Sequence, residues 1–119
     1  MKSGKDIPMV SKETLLIDSL LVMSEKALGM VLIAENEKLI GIFTDGDLRR
    51  ALESNIDFQK LAIGDVMTRD CKSIEPQEPA LSAMQLMEKY SLNSLPVVDP
   101  SNKIVGAINM HTLIQAKLF

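Results

Sequence analysis

The chain of 119 residues has few of the residues that cross-link a small protein or hold a metal. It contains one cysteine, Cys71, so no internal disulfide can form, and one histidine, His111, so no zinc-ligand spacing is present. We therefore expect neither a disulfide framework nor a structural metal, and no resident cofactor. The absence of a disulfide pattern favours a reducing compartment, and we predict a cytoplasmic location.

Aromatic residues and positive charge are also scarce. The chain has three Phe, one Tyr and no Trp, and its formal net charge is −3. Nucleic-acid binding needs a basic surface and aromatic platforms for bases, so we expect no nucleic-acid partner. No apolar run reaches the roughly 18 residues that span a bilayer, and no signal peptide precedes Asp6, so we expect no membrane partner.

The chain does contain an internal repeat. Five residues of the first half recur at an offset of 64 and then 65 residues, with Met23, Leu28, Gly41, Leu48 and Ala51 matched by Met87, Leu92, Gly106, Leu113 and Ala116. The one extra residue falls at 100–102, Pro-Ser-Asn, a sequence typical of a reverse turn. A unit of about 60 residues buries too little surface alone, so the two copies should share a core and enclose a ligand cleft.

Hydrophobic patterning predicts the same order of elements in both copies. The first copy is predicted to have an extended segment at 7–10, a helix at 14–26, strands at 30–34 and 39–44, and a helix at 45–53. The second is predicted to have an extended segment at 72–74, a helix at 78–90, strands at 95–98 and 104–109, and a helix from Met110. The predicted fold is α/β (α+β), with two tandem β-α-β-β-α repeats at 1–54 and 68–119, a connector at 55–67, and pseudo-twofold packing.

The first long helix of each copy is apolar on more than one face. In the helix at 14–26 and the two residues that follow it, one stripe comprises Leu16, Leu20, Met23 and Ala27, and it is widened by Leu15, Leu21, Val22 and Leu28. A lone pair of repeats would leave part of this surface uncovered, and such patches usually mark an interface. We therefore predict a homodimer that forms through these helices.

The residues with chemical content lie at equivalent strand-to-helix junctions, GIFTDGDL at 41–48 and GAINMHTL at 106–113. In the first junction Gly41 allows a close backbone approach, Thr44 ends the strand with a hydroxyl, and Asp47 lies in the first helical turn. An Asp can accept hydrogen bonds from both ribose hydroxyls, free helix amides attract phosphate, and Arg50 adds positive charge. The same Thr-x-x-Asp spacing also forms helix capping boxes in proteins that bind nothing, and both roles can coexist.

These tandem units, each ending in Gly-apolar-apolar and a helix start, resemble a pair of cystathionine-beta-synthase (CBS) domains. The sequences DVMT at 65–68 and LPVVD at 95–99 are similar to motifs of that family. More narrowly, GIFTDGDLRRAL at 41–52 and NMH at 109–111 resemble the CBS tail of bacterial D-arabinose 5-phosphate isomerases, which are SIS-CBS sugar isomerases. The resemblance covers the whole chain.

The resemblance implies a regulatory module without catalytic residues. Its parent enzyme would interconvert ribulose 5-phosphate and arabinose 5-phosphate for Kdo and lipopolysaccharide synthesis. Catalysis would lie in a covalently linked sugar isomerase (SIS) domain that these residues do not include. The implied ligand of the cleft between the repeats is a nucleotide or nucleotide sugar, and CMP-Kdo is a candidate because it is an end product of that pathway.

Carried over residue by residue, the resemblance assigns ligand contact to Thr44 and Asp47, with Ile7 and Met30 on the strands beside them. Arg50, one turn further along the helix, is a candidate contact because of its charge. The alternative hypothesis is a dimerisation module without a ligand, in which the Thr-x-x-Asp pair only caps the helix.

The second copy departs from the family pattern. Asn109 replaces the expected Thr or Ser, and Thr112 replaces the expected Asp, so this half lacks the carboxylate that would hold a ribose. His111 lies near a helix start, where it can be a solvated or capping residue or a ligand contact. We include these three residues as candidate contacts of a weaker half-site.

Overall fold

The computed structural model describes residues 7–26 and 29–110. Its elements, in chain order, are β1 (Met9–Val10), α1 (Leu16–Lys26), β2 (Met30–Glu35), β3 (Lys38–Thr44), α2 (Asp45–Glu53), a 3-10 turn (Ile63–Asp65), α3 (Ala80–Lys89), β4 (Ser94–Val98) and β5 (Ile104–Asn109). The mixed helix and strand class predicted from the sequence is confirmed. None of the helices in these residues combines the length and apolar character required to cross a membrane.

The strands form two small sheets, one in each half of the chain. β1 pairs in parallel with β2, and β2 and β3 form an antiparallel hairpin. β4 and β5 form the hairpin of the second half. The extended segment predicted at 72–74 contributes only an isolated parallel bridge, between Ile74 and Val97, so the second sheet has two strands in the described residues.

Alternate side chains of β2 pack on opposite faces of the first sheet. Val31 and Ile33 pack with residues of α1, whereas Met30 and Leu32 pack with residues of the second half. This double burial is what an unbroken apolar strand predicts. We call the second group the inter-sheet cluster, which consists of Ile7, Met30, Leu32, Leu39, Ile42, Val98, Ile104 and Ala107. The two halves therefore share the inter-sheet cluster, and each half also has a buried cluster of its own.

Hydrogen bonds between the two hairpins add to this packing. Leu39 N–H donates to the Asn102 carbonyl at 3.1 Å, and the Asn102 side-chain amide donates to the Leu39 carbonyl at 2.8 Å. Ile104 N–H donates to the Glu37 carbonyl at 2.9 Å. Because these bonds join the β2–β3 hairpin to the β4–β5 hairpin, they fix the position of one sheet against the other.

Helix α1 begins at Leu16, whereas the sequence predicts a start near Thr14. The difference arises because backbone of the connector, rather than a local side chain, satisfies the first helical amides. Leu16 N–H donates to the Leu61 carbonyl at 2.8 Å, and Ile17 N–H donates to the Phe58 carbonyl at 3.0 Å. Partners so distant in sequence leave no local signal of where a helix begins.

The two longest helices expose part of their apolar surface. Leu21 of α1 is 61% exposed and Leu81 of α3 is 54% exposed. α3 is also shorter than the predicted 78–90, because Pro79 occupies its N-cap position and makes no side-chain capping bond. Ala27 and Leu28, which belong to the predicted apolar stripe of α1, lie outside the described residues.

Candidate functional site

The junction between β3 and α2 forms the capping box that its spacing predicts. Thr44 Oγ1 accepts a hydrogen bond from Asp47 N–H at 3.3 Å, and Asp47 Oδ2 accepts one from Thr44 N–H at 2.9 Å. The Thr44 hydroxyl also lies 3.1 Å from the same carboxylate oxygen. α2 consequently begins at Asp45, as predicted. The capping role of this pair is therefore real, whatever else the pair does.

The other oxygen of the Asp47 carboxylate is occupied as well. Oδ1 accepts hydrogen bonds from the Arg50 guanidinium at 2.6 Å and from the Thr68 hydroxyl at 3.2 Å. The Asp47 side chain is 11% exposed, whereas that of Arg50 is 69% exposed. A carboxylate has about four acceptor positions, and the four neighbouring donors fill them. A ribose hydroxyl can bind Asp47 only by replacing one of these donors.

Thr68 is a site residue that the sequence analysis missed. Its backbone pairs reciprocally with Ile42 of β3, with N–H to carbonyl distances of 2.8 and 2.9 Å. This pairing brings its hydroxyl to Asp47, although the two residues are 21 positions apart. No local pattern predicts this contact, because it depends on how the connector folds back on β3.

The start of α2 offers fewer free amides than the sequence predicts. The capping box uses the Asp47 N–H, and Asp45 N–H donates to the Gly29 carbonyl at 3.1 Å. Gly46 N–H is the one first-turn amide without a partner in the described part of the chain. If Gly46 had a Cβ atom, that atom would lie 3.6 Å from both terminal nitrogens of the Arg50 guanidinium. An amide and a guanidinium therefore flank the same space and could bind one anion together.

A cavity of about 340 Å³ opens beside this junction, and we call it the inter-repeat cavity. The first half contributes Gly29, Thr44, Asp45, Gly46 and Arg50, and the second half contributes Tyr90, Ser91, Leu92, Asn93 and Ser94. Its lining from both halves agrees with the cleft that the duplication predicts. Asp47 instead lines a smaller cavity of about 230 Å³, and Arg50 lines both cavities.

The sequence analysis also missed the lining residues that follow α3. Ser91 has a φ of 54°, a left-handed conformation that turns the chain from α3 towards β4. The repeat carries a signal that could have found this segment. Asn93 is the counterpart of Gly29 at the offset of 64 residues, and both residues line the inter-repeat cavity.

Ile7 and Met30, the predicted strand contacts, lie in the inter-sheet cluster. Met30 is fully buried and Ile7 is 8% exposed, and neither side chain lines the inter-repeat cavity. Met30 is paired with Thr44 across the β2–β3 hairpin, so its backbone lies beside the junction. The two side chains support the junction from the core. The ligand contact predicted for them stays a prediction, because neither residue is among those that line the inter-repeat cavity.

The predicted contacts of the second copy are only partly described. Asn109 ends β5 and is paired with Ser94, which lines the inter-repeat cavity. Met110 is the last described residue, and its N–H donates to the Asn93 carbonyl at 2.8 Å; the helix predicted from it lies outside the described residues. His111 and Thr112 lie outside the described residues.

The close approach predicted at Gly41 is made by the connector. A Cβ at Gly41 would lie 2.5 Å from Met67 Sδ and 3.1 Å from the Thr68 carbonyl oxygen. The connector can pack this closely on β3 because residue 41 has no side chain. Gly41 does not line the inter-repeat cavity.

Residues 7–26 and 29–110 contain no group of three or more His, Cys, Asp or Glu placed to hold a metal ion. The cysteine is half-buried and packs against the inter-sheet cluster. Burial is the main reason why the pKa of the Cys71 thiol is raised above its ordinary value. A raised pKa disfavours the thiolate, the reactive form of cysteine.

Two tandem sheets, a shared core and a cleft between them define a paired-repeat module, and comparison with known families identifies its class. The CBS domain family matches residues 3–54 and 63–118. The chain therefore belongs to the CBS domain family and contains two copies of the domain. The resemblance noted from the sequence motifs is confirmed.

The curated relatives of this chain include longer enzymes. It is 44% identical over 118 residues to arabinose 5-phosphate isomerase KdsD of Francisella tularensis, a match covering 99% of this chain and 36% of the relative. It is 44% identical over 117 residues to KdsD of Pseudomonas aeruginosa, covering 98% of this chain and 36% of the relative. The chain thus spans about a third of the length of these relatives.

Solved structures share the fold at lower identity. CBSX2 of Arabidopsis thaliana, a CBS-pair protein, matches with a TM-score of 0.83 and 23% identity over 99% of this chain and 90% of that chain. Its complex with AMP matches with a TM-score of 0.82 and 23% identity, covering 99% and 92%. The CBS domain pair of MJ0100, solved with 5′-methylthioadenosine and S-adenosyl-L-methionine, has a TM-score of 0.83 and 23% identity, covering 97% and 94%.

Proposed function

We propose that this chain is a ligand-sensing CBS pair that binds a nucleotide or nucleotide sugar in the inter-repeat cavity. The observation that carries the proposal is a cavity with walls from both halves, in which a hydroxyl, a free amide and a guanidinium meet at Thr44, Gly46 and Arg50. Two solved CBS pairs of the same fold were determined with AMP and with adenosine derivatives, which supports a ligand of this class.

Ligand binding would proceed by exchange of hydrogen-bond partners. The phosphate would take the Gly46 N–H and the Arg50 guanidinium, because charge-assisted bonds from these donors are the strongest available in the cavity. When Arg50, which lines both cavities, turns to the phosphate, Asp47 Oδ1 loses its shortest contact and would accept a ribose hydroxyl that reaches into the smaller cavity. The bond from the Asp47 amide to the Thr44 hydroxyl oxygen would keep the capping turn in place while this happens.

The proposed role is regulation of an enzyme. The curated relatives are named arabinose 5-phosphate isomerases, which supports a parent chain with that activity. In our proposal this parent interconverts ribulose 5-phosphate and arabinose 5-phosphate in Kdo and lipopolysaccharide synthesis, with catalysis in a linked SIS domain and a cytoplasmic location. This fragment would then be non-catalytic, with repeats at 1–54 and 68–119 joined by 55–67. A ligand that contacts both halves would couple occupancy to their relative position, and CMP-Kdo is the candidate end product.

Calorimetric titration of the 119-residue chain with AMP, ADP, ATP, CMP and CMP-Kdo tests the binding proposal. We expect at least one saturable interaction, and Arg50→Met should weaken it about tenfold because a charge-assisted bond is lost. Arg49→Met is the matched control, since Arg49 is exposed on the same helix and lines neither cavity that contains Arg50. Silence from all five nucleotides would rule out the proposal.

The exposed apolar side chains favour a second function, homodimerisation through the CBS helices. Leu21 and Leu81 are more than half exposed in the single chain. We expect a dimer at micromolar concentration by light scattering and a shift to monomer in Leu21→Glu. Lys26→Glu on the same helix is the charge-changing control and should leave the dimer intact. A monomeric wild-type chain would contradict this proposal without affecting the ligand proposal.

A further inference from the structure

One wall residue of the inter-repeat cavity, Tyr90, has two lysine ammonium groups close to its aromatic ring. Tyr90 lines the cavity and is 42% exposed. The Lys72 ammonium lies 4.6 Å from the centre of its ring, and the Lys89 ammonium lies 5.4 Å from it. Both distances are within the range of a cation–π interaction, so the ring holds two positive charges beside the cavity.

The charged residues that line the cavity do not by themselves favour a highly anionic ligand. Asp45 and Arg50 are the charged lining side chains among the described residues, and their formal charges cancel. Arg50 is also paired with Asp47. The Gly46 amide and Arg50 can serve one phosphate, but nothing else in the lining offers positive charge to a second anionic group.

The two lysines have hydrogen-bonding capacity to spare. In the described part of the chain neither Lys72 nor Lys89 forms an ion pair with a carboxylate. A cation–π contact orients an ammonium group but leaves its N–H donors available. An anion that reaches the Tyr90 wall of the cavity could therefore accept hydrogen bonds from lysines that are already positioned.

We infer that Lys72 and Lys89, positioned by Tyr90, select nucleotides that carry a second anionic group, either another phosphate or the carboxylate of an attached sugar acid. This inference rests on the proposed nucleotide site and assigns its ligand preference. Tyr90 acts as a positioning residue, because its ring holds the two ammonium groups.

The test compares three probes by calorimetry on the 119-residue chain: CMP, CDP and CMP-N-acetylneuraminate. We expect CDP, the sugar-acid conjugate or both to bind about threefold to tenfold more tightly than CMP, as one or two partly screened charge contacts allow. A gain for CDP alone identifies a phosphate, and a gain for the conjugate alone identifies a carboxylate. Both outcomes support the inference.

Variants assign the preference to these residues. The Lys72→Met and Lys89→Met double variant should bring the affinity ratio close to one. Tyr90→Leu should lower the ratio, whereas Tyr90→Phe, which keeps the ring, should restore it. Lys60→Met is the control, because Lys60 is 85% exposed on the connector and lines none of the cavities described above.

The outcomes separate this inference from the proposed function. If the wild-type chain binds the probes but shows no preference, or if the double variant keeps the preference, the inference is overturned and the nucleotide site stands. If neither these probes nor the five nucleotides named above bind, the nucleotide site falls and the inference falls with it. If only adenine nucleotides bind, AMP and ADP take the place of CMP and CDP in the same comparison.

Discussion

Replacement of Asp47 by Ala tests how much the capping box and its neighbours contribute to stability. The change removes the acceptor for Thr44 N–H, for the Thr68 hydroxyl and for Arg50. Loss of a helix cap costs about 0.5–2 kcal/mol. Leaving a partly buried donor without an acceptor costs about 1–3 kcal/mol.

The remaining contact, with Arg50, adds little to this sum. The guanidinium is 69% exposed, so solvent screens the ion pair, and such pairs contribute about 0–1 kcal/mol. Because the lost contacts share one carboxylate, their costs overlap. We expect Asp47→Ala to lower the free energy of unfolding by about 2–3 kcal/mol.

Urea denaturation followed by circular dichroism measures this change. Asp45→Ala is the matched control, since Asp45 lies in the same helical turn but makes no side-chain hydrogen bond with the described residues. The control removes only a charge at the helix start, worth about 0.3–1 kcal/mol. If both variants lose the same small amount, the inferred strength of the capping box is wrong.

The same variant separates the two proposed functions. Under the ligand proposal, Asp47→Ala should abolish nucleotide binding and leave dimer formation intact. If the folded variant binds nucleotide as tightly as the wild-type chain, Asp47 acts only as a helix cap.

Three further predictions follow from local geometry. Gly41→Ala should destabilise the chain by about 1–3 kcal/mol in urea denaturation, because the added methyl would overlap Met67. Gly46→Ala is the control and should be neutral or slightly stabilising, because its added methyl would have its nearest neighbour 3.6 Å away. Equal effects of the two changes would contradict this. Iodoacetamide should alkylate Cys71 more slowly in the folded chain than in urea at pH 8, because burial raises the thiol pKa. Because the thiol pKa is raised in the folded chain, the stability that this shift contributes below pH 9.0, the ordinary value, should be lost as the pH rises through the raised pKa. Equal alkylation rates in the folded chain and in urea would refute the burial argument. Hydrogen bonds from the Ser101 hydroxyl and the Lys103 amide lower the pKa of Asp99, so an NMR titration of this carboxyl should give a midpoint below 3.8. The stability that the lowered pKa contributes above pH 3.8 should be lost as the pH falls through the lowered pKa. A midpoint at or above 3.8 would contradict this.

The parts of the fold that were predictable have their signals within a few neighbouring residues. α2 begins where Thr44 and Asp47 require it to begin, because both partners of the capping box lie within one helical turn. β2 is buried on both faces, because an unbroken run of apolar residues has no polar side to present to water. The shared core followed from the duplication.

The parts that were not predictable depend on contacts between distant segments. Thr68 reaches Asp47 because the connector folds back on β3, and the first amides of α1 are satisfied by connector carbonyls. The turn at Ser91 enters the cavity wall because the second half packs against the first. Hydrophobic patterns with a period of 2 or 3.6 residues describe the faces of single strands or helices, and they contain no information about pairings between distant segments.

The most direct test of the nucleotide site is an NMR titration of the ¹⁵N-labelled 119-residue chain with each of the five nucleotides. Gly46 N–H, at the cavity wall, has no partner among residues 7–26 and 29–110, whereas Gly64 N–H is hydrogen-bonded to the Lys12 carbonyl at 2.9 Å in the connector. We expect a saturable shift of the Gly46 amide resonance with at least one nucleotide and little change at Gly64. A Gly46 resonance that stays in place with all five would contradict it.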